Sequence, residues 1–538
     1  MLKRAIIILT LVATVALPFI LRPKQAAVAR ADDTLVIITP HNEAIRHEYG
    51  AGFRRWYQQR TGRTVFIDWR VIGGTSEIAR FLESEYIASF QNHWMRRLGR
   101  PWSMEVQAAF TNHRLAADAS EIARQARAEF LGSNVSCGID LFFGGGSFDF
   151  IRQAQAGRLV RSRILETKPE WFTDDVIPES YAGEQYWDRE ARWFGNVISN
   201  YGILYNKDAL ARLRIEQAPE TWRALTDPRL IGEVAVADPT KSSSIAKAFE
   251  NLIQQEMQAR LIAIQARPEG RSAKEIEAQA IREGWIEGMK VLQLIGANAR
   301  YFTDSSQKPP IDVSQGNSAV GICIDFYGRY QAEAVRRRGN VGRLEFVTPR
   351  GGTVSSVDPI AILRGAPNHE VAEAFVEYAL SMEGQLLWNF QVGAPGGPER
   401  FALRRLPVRR DFYTNQEWLS LRSDPEVQPF AEEDQLIYHP AWTGGIFREM
   451  AFIIRVMCLD THPDLVRAWR AVIAAGKPPE AMAALQDVSA VDYEATLGRV
   501  KQALTSKNKV DEIRLANELG ASFRAQYRRA AELARAGR

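Results

Sequence analysis

Three serines stand in a row in Asp238-Pro239-Thr240-Lys241-Ser242-Ser243-Ser244, where an apolar run ending at Ala237 gives way to a helical one. The first N–H groups of a helix lack intrahelical acceptors and share the positive end of its dipole. Hydroxyls gathered there, with Thr240 beside them, form a seat for a carboxylate or phosphate. A single serine in that place would only cap the helix. Thr75-Ser76 repeats the arrangement behind Gly73-Gly74, with capping again the plain alternative. Gly144-Gly145-Gly146 follows a buried run from Gly138 to Phe143 and offers bare N–H groups to a ligand, or simply a tight turn. His41 follows an apolar segment beside Pro40, and Asp325-Phe326-Tyr327 ends another. A lone histidine caps or packs more often than it ligates. A carboxylate leaving a buried strand needs a partner. Trp187, Trp193 and Trp222 could wall a ligand, although Trp222 reads as packing.

Motifs for catalysis are missing. The chain has no Gly-x-Ser-x-Gly elbow, no His-Glu-x-x-His, and neither the dinucleotide nor the nucleoside-triphosphate glycine spacing. We therefore expect a binding protein, not an enzyme, with no cofactor. The seven histidines are spread along the chain, so a triad has no support. Cys137, Cys323 and Cys458 are far apart and form no Cys-x-x-Cys pair, which suggests buried free thiols.

The candidate residues recur where strands hand over to helices. Thr34 to Thr39 reads as a strand, followed by a helix with Ile45, Tyr49, Phe53 and Trp56 on one face, and Thr64 to Trp69 reads as a second strand. This β-α-β-α opening implies parallel strands covered by helices. Further strands are expected at Asn196 to Tyr205, Glu233 to Ala237, Ala319 to Ile324, Leu344 to Thr348 and Val357 to Leu363. Long helices are expected near 244–266 and 273–297, and one amphipathic helix from His369 to Leu387. In open α/β sheets, ligands lie beyond the carboxyl ends of strands. That rule collects His41, Thr75, Ser76, Gly144, Gly145, Thr240, Ser242, Ser243, Ser244, Asp325 and Tyr327 as ligand-binding candidates.

The 538 residues are 46% apolar and 25% charged, enough for two or three cores. Lys3 and Arg4 precede an apolar run from Ala5 to Leu21 and a small-residue exit at Ala29-Arg30-Ala31. That describes a secretory signal cleaved after Ala31, with an uncleaved anchor as the alternative. Residues 1–31 hold five basic and no acidic residues, which leaves 63 of the 68 Lys and Arg against all 64 Asp and Glu. The basic excess therefore belongs to the leader, and a nucleic-acid partner is not indicated.

Several segments, in order, are similar to periplasmic solute-binding proteins of ABC importers, of the ferric-iron, thiamine and phosphonate type. They are Ile37-Ile38-Thr39-Pro40-His41-Asn42-Glu43-Ala44, Gly74-Thr75-Ser76-Glu77, Asp140-Leu141-Phe142-Phe143-Gly144-Gly145, Gly202-Ile203-Leu204-Tyr205-Asn206, the Asp238-Pro239 serine loop and Gly316-Asn317-Ser318-Ala319-Val320-Gly321-Ile322. Asp325-Phe326-Tyr327 and Ser381-Met382-Glu383-Gly384-Gln385 follow. The resemblance spans roughly 34–412. It implies a two-lobed α/β periplasmic-binding-protein fold with hinge strands near Val197 to Tyr205 and Val354 to Pro359. Lobe 1 would comprise 32–198, with a helical insertion at 84–136, completed by 355–385. Lobe 2 would comprise 199–354, completed by 386–445, and 446–538 would form a helical extension.

The same resemblance implies a periplasmic location, a small-molecule solute and an importer permease in the inner membrane as partner. Its ferric site is poorly kept. His41 and Tyr327 match, but Phe326 replaces the first of the paired tyrosines and Gly145 replaces a carboxylate. Ferric iron favours several hard oxygen donors. The serine loop matches the family's anion seat, so an organic solute with an anionic end is expected, with Asp325 facing its cationic or hydroxyl part. Ferric iron with a bound anion is the alternative.

Overall fold

The computed structural model describes residues 31–339, 342–431, 435–506 and 508–537. The leader expected at 1–31 falls almost wholly outside them. Among the described residues no helix is long and apolar enough to cross a membrane. All three cysteines are free thiols, Cys323 and Cys458 buried and Cys137 partly so.

In chain order the strands are β1 (Asp33–Ile38), β2 (Val65–Arg70), β3 (Leu141–Phe143), the small hairpin β4 (Ser180–Tyr181) and β5 (Glu184–Gln185), β6 (Phe194–Ser199) and β7 (Tyr201–Asn206). They continue as β8 (Val234–Ala237), β9 (Ala299–Thr303), β10 (Val320–Ile324), β11 (Leu344–Val347), β12 (Ser356–Ile362) and β13 (Leu406–Pro407). One sheet has the order β13-β6-β12-β3-β1-β2 and a second the order β11-β7-β10-β8-β9. Strands β1, β2 and β3 run parallel, as do β8, β9 and β10, so their carboxyl ends share an edge in each sheet.

The continuous apolar runs of β3, β6, β7, β8 and β10 follow from this layering, because every residue in these strands is buried. Strands covered on both faces, whether parallel or, like β6 and β7, antiparallel, have no solvent side to make polar. The run expected as one strand from Asn196 to Tyr205 is two, β6 and β7, divided at Asn200 between the sheets. The return passes from β11 to β12 through residues 348–355. Asn200 Oδ1 accepts from Ser355 Oγ at 3.0 Å, and Tyr201 N donates to Thr353 Oγ1 at 3.1 Å, which ties the two crossings together.

Other elements depart from expectation. β9 was not expected at all. β13 pairs with β6 in the first sheet, although 386–445 was assigned to the second lobe. The helix expected from His369 to Leu387 is two, His369–Leu380 and Met382–Asn389, because Ser381 turns out of helical geometry and caps the second by accepting from Gly384 N at 3.3 Å. The insertion is no simple hairpin. Helix Thr75–Asn92 runs on through a π turn at His93–Arg97, then come Met104–Ala109 and Glu121–Gly132, closed over buried Phe90, Trp94, Phe110 and Phe130.

Helices Ser243–Gln265 and Ala273–Asn298 lie backbone to backbone; a Cβ on Gly284 would come within 2.3 Å of Met257 Cα. The last helices, from Phe447–Ile454 to Lys509–Ala536, cover this pair. Trp285 Nε1 donates to Val491 O at 2.9 Å, and Trp469 Nε1 to Asn298 Oδ1 at 2.9 Å. Tyr527 links Gln293 and Met457, through bonds of 3.2 and 2.9 Å. The extension is thus built onto the second lobe.

Candidate functional site

The carboxyl ends of the two sheets meet around a chamber of about 450 Å³. The first sheet sends His41 past β1, Thr75 past β2 and Gly145 past β3; the second sends Ser242, Ser243 and Ser244 past β8 and Tyr327 past β10. These seven candidates line one cavity.

The glycines make the close approach. Gly144 and Gly145 have φ of +87° and +120°, where side chains are strained. A Cβ on Gly144 would lie 2.2 Å from His41 Nε2, and one on Gly145 2.5 Å from Thr75 Cγ2. Gly74 packs against the second lobe, since its Cβ would meet Lys241 O at 2.8 Å. Gly145→Ala is expected to destabilise the fold by about 1–3 kcal/mol through strain at this φ. It should also displace Thr75; thermal melts paired with a solute titration would show both losses, and an unchanged melt would refute the strain.

Ser242 caps helix Ser243–Gln265 by accepting from Ile245 N at 3.4 Å. The backbone N–H groups of Ser243 and Ser244 precede any helical acceptor. Ser243 is buried, and its Oγ, which faces the Asp149 carboxyl, makes no hydrogen bond of good geometry within the protein. An unpaired buried hydroxyl of this kind costs stability unless a ligand meets it.

His41 is buried edge-on to Phe143 and Trp388. Burial, then the positive charges of Arg405 and Arg46, hold its pKa well below the usual histidine value, so the ring is neutral. Tyr327 lies against Phe326 with ring centroids 4.0 Å apart, and burial raises its phenol pKa.

Other candidates lie elsewhere. Asp325 is fully buried, and Arg329 Nη2 donates to its Oδ2 at 2.5 Å. Its carboxylate pKa is raised by burial, with Arg329 pulling the other way. It starts helix Asp325–Arg337 and does not line the chamber. Thr240 spends its amide and hydroxyl on Asp238 Oδ1, at 2.8 and 2.7 Å. Thr240 and Ser76 line a different chamber, and Gly144 supports His41 from behind. Trp222 is packed, donating to Gly352 O at 2.7 Å; Trp187 and Trp193 lie away from the chamber.

Sequence reasoning missed Arg46, Lys241, Asp304, Ser305, Ser306, Gln307 and Asp358, all in the chamber wall. Four of them follow directly on β9, so overlooking that strand hid them. Asp358 is the hub of a buried group: Arg405, itself fully buried, donates to its Oδ2 at 2.6 Å and to Ser199 Oγ at 2.5 Å. The guanidinium also lies over the Phe326 ring, 4.3 Å from its centroid. The wall therefore combines hydroxyls and free amides with two cations, Arg46 and Lys241, and four carboxylates, Glu43, Glu77, Asp304 and Asp358. Such a set can meet an anionic group at the hydroxyls and amides, and polar or cationic parts at the carboxylates.

The profile of the family described as bacterial extracellular solute-binding protein matches residues 138–406. A protein of Haemophilus influenzae without a described function is 29% identical over 256 residues, 46% of this chain and 61% of that one. The phosphoglycerate transport regulatory protein PgtC of Salmonella typhimurium is 24% identical over 191 residues, 35% of this chain and 38% of its own. The putrescine/cadaverine-binding protein of Pseudomonas aeruginosa is 26% identical over 204 residues, 37% and 50% of the two chains. The chain thus spans less than two thirds of each of these relatives. Among solved structures, the periplasmic binding protein AfuA from Actinobacillus pleuropneumoniae, with fructose-6-phosphate bound, aligns over 82% of this chain and 98% of its own, at 18% identity and a TM-score of 0.47. Iron-bound HitA from Pseudomonas aeruginosa aligns over 78% and 99%, at 16% identity and a TM-score of 0.44.

Proposed function

The chain belongs to the bacterial extracellular solute-binding protein family, and from that premise we propose that it captures a small solute with an anionic end between its two lobes and delivers it to an ABC-type importer. One observation carries the reading: loops from separate sheets bring Thr75 and Ser242 to Ser244 to one chamber, with Arg46 and Lys241 beside them. The free N–H groups and hydroxyls would hold the anionic end. Asp304 to Gln307 and Asp358 would take polar or cationic parts of the solute. The lobes would close by bending at the two crossings around Asn200 and Ser355, and a permease in the inner membrane would read the closed form. On this reading the protein works outside the cytoplasm and performs no covalent chemistry.

The chamber supports an organic solute over ferric iron. Among the described residues no three His, Cys, Asp or Glu side chains gather as a metal cage, and Phe326 stands where a second phenolate would be needed.

Native mass spectrometry of protein purified without refolding is expected to show a retained organic mass. A visible tyrosinate–iron band instead would overturn the ligand assignment. Steady turnover of phosphate esters that is lost in His41→Ala would overturn the binding role. Ser243→Ala removes only the contact of its hydroxyl with Asp149, so folding should change little while solute affinity falls about tenfold, near 1.4 kcal/mol. An unchanged affinity by titration calorimetry would remove the serine loop from the site.

A further inference from the structure

The loops that close the chamber also form one wall of a second one. Thr75 and Ser243 face the first chamber; Ser76 and Thr240, their near neighbours, face a cavity of about 430 Å³ on the other side. Its remaining walls come from helices Thr75–Asn92 and Ser147–Ala156 of the first lobe, and from the C-terminal extension at Phe447 to Arg455. Phe447 touches Phe148 across it, ring centroids 4.5 Å apart.

Six cationic side chains line this cavity against three carboxylates. Glu512 already serves Arg448, at 2.9 Å, and Lys509, at 3.7 Å. The first-lobe arginines have the Asp149 and Glu83 carboxylates nearby, but not at ion-pair distance. Arg80, Arg152 and Arg158 form no ion pair among the described residues. Arg158 is 6% exposed, and its Nε has no hydrogen-bond partner; its one side-chain hydrogen bond is from Nη1 to Gln153 Oε1 at 3.0 Å. Across the cavity, Arg455 is already paired, its Nε 3.4 Å from Asp460 Oδ2 although without hydrogen-bond geometry. A buried guanidinium donor left unpaired, as in Arg158, is costly, and with three carboxylates for six cations an oxyanion is the natural complement.

We propose that this cavity is a second binding site, for a small organic anion with two or more negative charges, such as a phosphate ester or polycarboxylate, and that its occupant holds the lobes together. Its cations sit on two bodies. Arg80, Arg152 and Arg158 belong to the first lobe; Arg448 and Arg455 belong to helices packed on the second. An anion reaching both walls meets all of them only when the lobes are closed, so it must shift the equilibrium towards closure. The solute and the second anion then strengthen each other's binding.

Inorganic pyrophosphate is a suitable probe, with acetate as the monoanion control. Full-length protein is expected to bind pyrophosphate in calorimetry and to ignore acetate. Arg80→Gln with Arg152→Gln on one wall, and Arg455→Gln on the other, should each weaken pyrophosphate binding at least tenfold, with circular dichroism unchanged. Crystals grown with pyrophosphate should place it between Arg152 and Arg455, and solution scattering should show a smaller radius of gyration on its addition. Unchanged affinity in both variants, or density confined to the serine chamber, would overturn the second site. An unchanged radius would overturn its role in closure. Pyrophosphate binding that survives in a Ser243→Ala protein unable to hold solute would leave the second site standing without the first, so the two assignments fail separately.

Discussion

Arg405→Met is expected to lower folding stability by about 3–5 kcal/mol, the cost of removing one member of a buried ion pair. Arg405 is fully buried and reaches both hinge-bearing strands at once, Ser199 on β6 and Asp358 on β12. Methionine keeps much of the stem's packing against Phe326 and Trp388, so the loss measured by urea unfolding would report the charge. It leaves the Asp358 carboxylate without its cation. Adding Asp358→Asn should therefore return most of the stability, a coupling that two independent sites would not show. A loss below 1 kcal/mol, or no recovery in the double variant, would show that the pair is not holding the strands. His41 offers a second readout. Arg405 is among the charges that depress its pKa, so the ring should titrate closer to its ordinary range in Arg405→Met, although burial remains the larger cause.

Asp149→Asn is expected to favour lobe closure by up to a hundredfold at pH 8 and to have little effect at pH 4. Asp149 sits in the first turn of helix Ser147–Ala156, buried opposite Ser243 of the other lobe, and desolvation lifts its pKa to about 6 although Arg152, the Ser243 hydroxyl and Arg80 all pull it down. An open form in which Ser243 withdraws would let water reach the carboxyl, whose ordinary value is 3.8. The closed form therefore binds the extra proton between these two values. Closure is favoured as pH falls through 6, and at higher pH the ionised carboxylate opposes it by about 3 kcal/mol. Asparagine removes that opposition. Solute affinity of the natural protein should tighten between pH 8 and pH 5, and that trend should vanish in Asp149→Asn; an identical slope in both would refute it. His41 does not enter this balance, because Phe143, Trp388 and Gly144, which bury it, all belong to its own lobe.

Both lobes were readable in the sequence because buried parallel strands are continuous apolar runs and their exits carry small or hydroxyl residues. The serine loop and Thr75 were legible for that reason. Asp325 was misjudged by the same rule: it does leave a buried strand, but Arg329, one helical turn on, supplies its partner. An i, i+4 Asp–Arg pair in Asp325-Phe326-Tyr327-Gly328-Arg329 was the available signal. β9 was hidden because Ala299-Arg300-Tyr301-Phe302-Thr303 continues a 26-residue helix without a glycine or proline between them. Arg405 and Asp358 lie 47 residues apart, and no local pattern announces such a pair.

The way the last helices cover Ala273–Asn298 has a consequence for how the chain acquires its structure. Gln293 waits for Tyr527, 234 residues later, and Trp285 for Val491, 206 residues later. Contacts so remote in sequence form slowly, because a long loop must close before any of them rewards it. The apolar flank of the midchain helices stays uncovered until the segments carrying Val491 and Tyr527 have been made, and until then it is open to self-association.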